Sequence, residues 1–150
     1  MNARTALWLA AMSTGCGSYF TPTATPRRDA GPEPNTDVAA VVNGCTEARF
    51  VDRGDPAAER VVAFGGALGM NFSPPCISVA AGQTVRFDGN LATHPLTPGV
   101  PGVAGSGAGS AIVLTTSGDT VSVTFPAAGS FPFHCGVHGP MGMVGVVRVR

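Results

Sequence analysis

Beyond residue 40 the apolar positions come in short runs or alternate with polar ones, and Gly, Pro, Asn or Asp closes each run. In Thr84–Asp88, Val85 and Phe87 fall on one face while Thr84 and Arg86 take the other; in Thr120–Phe125, Val121, Val123 and Phe125 do the same. A period of two marks a strand with one buried face. The pattern predicts strands at Ala48–Val51, Val61–Phe64, Met70–Phe72 running on to Cys76–Val79, Thr84–Asp88, Ala111–Thr115, Thr120–Phe125, Ser130–Cys135 and Val144–Val149. Turn signals stand between them, as in Ala81-Gly82, Ser117-Gly118-Asp119 and Ala128-Gly129. No stretch sustains a helical period. Many short strands with such punctuation predict an all-β fold, a Greek-key sandwich or barrel. Residues 97–110 are almost wholly Gly, Pro, Ala, Ser and Val and read as a flexible loop.

The first forty residues differ in kind. Arg4 supplies a positive charge, and Leu7 to Met12 form an apolar stretch too short to span a bilayer. Ser13-Thr14-Gly15-Cys16 follows. Small residues before a cysteine are similar to the lipobox of bacterial lipoproteins, in which the cysteine is lipidated and becomes the mature N-terminus; Ser13 stands where that pattern usually has Leu. The other reading is an ordinary cleaved secretory signal. Under the lipoprotein reading residues 1–15 are the signal; under the other Cys16 is removed with it or incidental; under either the mature chain lies outside the cytoplasm. Pro22, Pro26, Pro32 and Pro34 oppose regular structure, so residues 16–44 read as a lipidated N-terminus and solvated tether. The folded domain is expected to begin near Val41 or Cys45 and is taken over residues 45–150.

Composition narrows the function. Formal net charge is zero and only 12% of residues are charged, which argues against nucleic acid as a partner, because phosphate binding needs a basic surplus. A chain of 150 residues holds one domain with a leader and a linker.

The segment Phe133-His134-Cys135-Gly136-Val137-His138-Gly139-Pro140-Met141-Gly142-Met143-Val144-Gly145 lies between two expected strands. It puts a thiolate, an imidazole and a thioether on one tight loop. Upstream, His94 sits in Thr93-His94-Pro95-Leu96, just after a strand. Two imidazoles, one thiolate and a weak axial methionine form the trigonal blue-copper ligand set. Thiolate and thioether are soft and suit Cu(I), while imidazole suits both oxidation states. Zinc is a poorer match, since methionine is not among its usual ligands. His134 precedes Cys135 on a strand and so points to the opposite face, as a surface or supporting residue. Of the four cysteines, Cys16 falls in the lipobox-like run and Cys135 in the metal motif. Cys45 and Cys76 remain, and an oxidising compartment lets them pair; two buried thiols are the alternative.

These motifs resemble the cupredoxins: plastocyanin, pseudoazurin, amicyanin and their bacterial relatives. The resemblance covers residues 45–150 and rests on the Cys-x2-His-x4-Met loop followed by Val-Gly, with an isolated His at an earlier strand end. It implies one copper ion bound by His94, Cys135, His138 and Met143. The Met-Gly-Met spelling is most similar to pseudoazurin, whereas an amicyanin-like loop would use Met141. Members usually carry Asn after the first His, where its side chain ties two ligand loops together. Here the residue is Pro95, and Thr93, Thr97 or the stiffness of Pro95 itself would have to serve.

A closed site without an open position for substrate implies an electron carrier and no enzyme. Gly139, Pro140, Met141, Pro95, Leu96 and Pro98 flank the ligands without charge, which suits brief apolar docking of redox proteins, with His138 as the electron path. The protein is expected to act as a monomer in the periplasm or on a bacterial membrane surface, touching the membrane only through the lipid on Cys16. A copper carrier or buffer in the envelope, using the same soft ligands, is the alternative, and an accessory module of a copper oxidoreductase is a third reading.

Overall fold

In a computed structural model that describes residues 41–150, the chain forms nine strands paired into two sheets. The expected signal, Cys16 and the tether up to residue 40 lie outside the described residues. The strands are β1 (Val51–Asp52), β2 (Val61–Phe64), β3 (Phe72–Ser73), β4 (Cys76–Val79), β5 (Thr84–Asp88), β6 (Leu96–Pro98), β7 (Thr120–Thr124), β8 (Gly129–Cys135) and β9 (Val144–Val149). One sheet has the order β1-β4-β9-β8-β6 and the other β3-β2-β5-β7. The chain crosses from sheet to sheet repeatedly, and the fold is the all-β sandwich that the period-two pattern implies.

The alternation decides which side chains meet between the sheets. Val85 and Phe87 of β5 are buried while Thr84 and Arg86 are exposed, and Val123 of β7 is buried between exposed Ser122 and Thr124. They join Val62, Phe64, Ile77, Val79, Phe133, Val147 and Val149 in one core. Burying each such side chain contributes about 1.5–3 kcal/mol. Four phenylalanines run through this core edge to face, with centroids 5.4 Å apart for Phe64–Phe72, 4.9 Å for Phe72–Phe133 and 5.1 Å for Phe87–Phe133. A smaller cluster of Cys45, Cys76 and Val146, with Val42 and Phe50, is covered by the segment ahead of β1. The Cys45–Cys76 disulfide closes it, and Arg148 stacks on the Phe50 ring at 3.8 Å while pairing with Glu47.

Four expectations need correction. The run from Met70 to Val79 is not one strand: β3 and β4 lie in different sheets, because Pro74 and Pro75 supply no N–H for a ladder. Ala48–Val51 is a 3-10 turn at Glu47–Arg49 followed by the short β1. Phe50 turns onto the disulfide cluster there, so the chain bends over the sheet and joins it only from Val51 on. Ala111–Thr115 makes only an isolated bridge, Leu96 to Thr115, and leaves Val113 and Leu114 exposed. Its neighbour β6 is an edge strand ending at Pro98, which cannot donate to extend the pairing. Residues 97–110 are not all loop: Thr97 and Pro98 belong to β6, and Ser106 Oγ accepts from the Val100 N–H at 2.8 Å and donates to the Val103 carbonyl at 2.7 Å.

Candidate metal centre

His94 is set by a turn that its own neighbours build. Asn90 Oδ1 accepts from the Thr93 N–H at 2.9 Å, and the Asn90 carbonyl accepts from the His94 N–H at 2.9 Å. This Asx turn delivers the imidazole at the mouth of the sandwich. Phe64 meets the ring edge to face at 6.2 Å. Gly65 lies against the ring with φ +72°, a backbone conformation that favours glycine.

Cys135 is the last residue of β8, opposite Leu96 of β6. Its side chain is fully buried. The ladder closes just beyond it, with the Cys135 N–H donating to the Met143 carbonyl at 3.0 Å and the Met143 N–H to the His138 carbonyl at 3.1 Å. The intervening loop turns tightly enough for the His138 N–H to reach Cys135 Sγ at 3.4 Å. A short 3-10 turn, Gly139–Met141, then returns the chain to β9. Met143 is fully buried and belongs to the main core, whereas Met141 is 62% exposed.

Three donor atoms from these segments face one point. His94 Nδ1 lies 3.1 Å from His138 Nδ1 and 3.7 Å from Cys135 Sγ, and the Cys135 Sγ to His138 Nδ1 distance is 3.4 Å. A triangle with those sides has its equidistant point about 2.0 Å from each corner, which is a metal-to-imidazole bond length. Two nitrogens and one thiolate around a trigonal centre fit copper. Burial, and after it the facing His138, holds His94 below the usual imidazole range, so it stays in the neutral form that donates a lone pair. His94, Cys135 and His138 are the one such group among the described residues. His134 stays outside it. Its Nδ1 lies 3.0 Å from the Gly99 carbonyl, on the flank facing the 98–107 loop.

The tie between the two ligand segments is made by backbone. The Gly136 N–H donates to the Pro95 carbonyl at 2.8 Å. Thr97 Oγ1 is buried without a hydrogen-bond partner and does not supply it. Sequence reasoning looked for a polar side chain and missed a carbonyl, which every residue type carries. The segments that carry the donors are uncharged: no Asp, Glu, Lys or Arg occurs from residue 61 to 85, from 89 to 118 or from 120 to 147. No helix among the described residues is long and apolar enough to cross a membrane.

Comparison with known proteins gives the same picture. Residues 59–150 match the family described as copper binding proteins, plastocyanin/azurin family. The chain is 40% identical over 84 residues to a chloroplastic plastocyanin of Hordeum vulgare, a match covering 53% of this chain and 54% of that protein; it thus spans about half the length of this relative. Among solved structures it is similar to oxidised plastocyanin from Dryopteris crassirhizoma, at 26% identity and a TM-score of 0.46, covering 60% of this chain and 99% of that one. It is also similar to pseudoazurin from Methylobacterium extorquens, at 29% identity and a TM-score of 0.45, covering 59% and 72%. With more than half of its length matched and a donor triangle that fits copper, the chain belongs to the copper-binding plastocyanin/azurin family.

Proposed function

We propose that this chain is an exported type 1 copper protein that carries single electrons, with copper held by His94, Cys135 and His138 and with Met143 as the weak axial ligand. The donor triangle carries the reading: three atoms of the right chemistry, from two segments far apart in sequence, surround a point at bonding distance. Copper, when bound, supplies a one-electron couple. The protein's own residues hold the donors still. Cys135 and Met143 are fully buried and joined through the β8–β9 ladder, so neither sulfur has room to move far between oxidation states. Four protein ligands leave no open position for a substrate, which supports a carrier and not an enzyme.

His138 is the one donor of the three that is only half-buried, which supports it as the electron path. Exposed Val137 and Met141 flank it. With no charge on the segments that form it, this rim suits brief apolar contact with donor and acceptor redox proteins, met in turn by a monomer. The Cys45–Cys76 bridge supports an oxidising compartment. Together with the leader it supports residence in the periplasm or at a bacterial membrane surface, held there by lipid on Cys16.

Adding Cu(II) to the purified protein tests the reading. The expected result is an intense blue colour, lost and regained quickly on reduction and reoxidation. Cys135→Ser should abolish the colour, because the sulfur charge-transfer band has no counterpart with oxygen. A serine variant as blue as the native protein would place the site elsewhere. A colourless Cu(I) protein that hands its metal to a chelator would favour the copper carrier instead.

A further inference from the structure

One polar side chain outside the donor cluster reaches the base of the ligand loop. Asn43 Nδ2 donates to the Phe133 carbonyl at 3.0 Å and to the Gly145 carbonyl at 2.9 Å. Phe133 and Gly145 are register partners in β8 and β9. Two residues beyond them along the ladder stand Cys135 and Met143, joined by their own backbone bond. A neutral side-chain amide carries two donors on one nitrogen, so Asn43 bridges the strands directly before they part.

The surrounding turn aims the amide. Val42 and Cys45 form a bridge around Asn43-Gly44, with the Cys45 N–H donating to the Val42 carbonyl at 2.9 Å. Both central residues have positive φ, +49° at Asn43 and +70° at Gly44, and Asn-Gly is the pair that accepts this most readily. Arg49 Nη1 on the Gly44 carbonyl at 2.7 Å, and the disulfide from Cys45 to Cys76, anchor the far side. The turn alone would accept Gly or Asp; the two bonds to the strands require the amide. Val42 and Asn43, half-buried, thus lie against the domain ahead of Cys45.

We propose that Asn43 is a positioning residue for the copper loop: its amide clamps β8 to β9 at the root of the loop and so sets the spacing of the Cys135 and Met143 sulfurs. It acts through the backbone of the two strands.

Two variants of the full chain, with the disulfide intact, test this. Asn43→Gly keeps the left-handed turn and removes the donors; Asn43→Asp keeps the shape and turns acceptor oxygens toward two carbonyls. Amide hydrogen exchange on the metal-free protein follows Cys135 and Met143, with the strand amides of β5 in the other sheet as reference. In Asn43→Gly the two loop amides should exchange about tenfold faster, the scale of two modest net hydrogen bonds lost, while β5 is unchanged. Asn43→Asp should be faster again, and if it fails to fold, the glycine variant decides. Equal acceleration in both sheets, or none in either, overturns the proposal. A second arm rests on the copper reading: Asn43→Gly should shift the blue band and the reduction potential of the loaded protein. An unchanged spectrum and potential beside faster exchange would reduce Asn43 to a turn former. A native protein that stays colourless with copper would fail the function reading, and the exchange arm would still decide this one.

Discussion

The backbone N–H of Gly136 donates to the carbonyl of Pro95 at 2.8 Å, so the residue after the thiolate is bonded to the residue after the first histidine. Proline cannot donate, but its carbonyl is a full acceptor. This contact brings the Cys135 and His94 segments together with no polar side chain between them. It depends on space as well: a Cβ on Gly136 would stand 3.0 Å from Thr97 Oγ1 and 3.5 Å from Pro95 Cβ. Gly136→Ala should therefore push the segments apart. We expect a loss of about 1 kcal/mol, the low end for overpacking because Gly136 is itself exposed, together with a shifted blue band. Thermal unfolding and the visible spectrum of one sample check both, and an unmoved band would show that this contact does not set the site.

The two loop methionines should behave differently. Met143 is fully buried and Met141 is 62% exposed. Met143→Leu conserves volume and should cost less than about 1.5 kcal/mol in stability, yet raise the reduction potential and alter the spectrum, because it removes the weak axial sulfur. Met141→Leu should leave potential and spectrum nearly unchanged and act only on the kinetics of electron exchange with a partner. Voltammetry on both variants is decisive; the reverse outcome would make Met141 the axial ligand.

Cys45 and Cys76 are 31 residues apart in sequence. Closing a loop of that size stabilises by about 3–4 kcal/mol on the chain-entropy account. The double variant Cys45→Ser, Cys76→Ser should lose stability on that scale in urea titration. Mass spectrometry of the unreduced native protein should yield a linked Cys45–Cys76 peptide; two free thiols there would remove the bridge.

Membrane attachment rests on Cys16. A lipid chain contributes about 0.8 kcal/mol per buried CH₂, so several chains anchor firmly. Cys16→Ala should release the protein from membranes or stall its processing. Unchanged fractionation would leave an ordinary secretory signal as the reading of the leader.

What the sequence by itself determined was local. Val85 and Phe87 alternate with Thr84 and Arg86 at the strand period, so the β class and the buried face of β5 could be read without knowing any neighbour. Cys135, His138 and Met143 fall within one short loop, where spacing alone brings donor atoms close, and His94 was legible as the missing imidazole. Tertiary structure decided what depends on partners distant in sequence. The pairing of Leu96–Pro98 with β8 turned part of an expected loop into β6, and two prolines sent β3 and β4 into different sheets. The carbonyl of Pro95 and the reach of Asn43 to Phe133 and Gly145 were invisible to residue-type reasoning. Backbone acceptors are the same at every position, and only the topology brings a given donor to them.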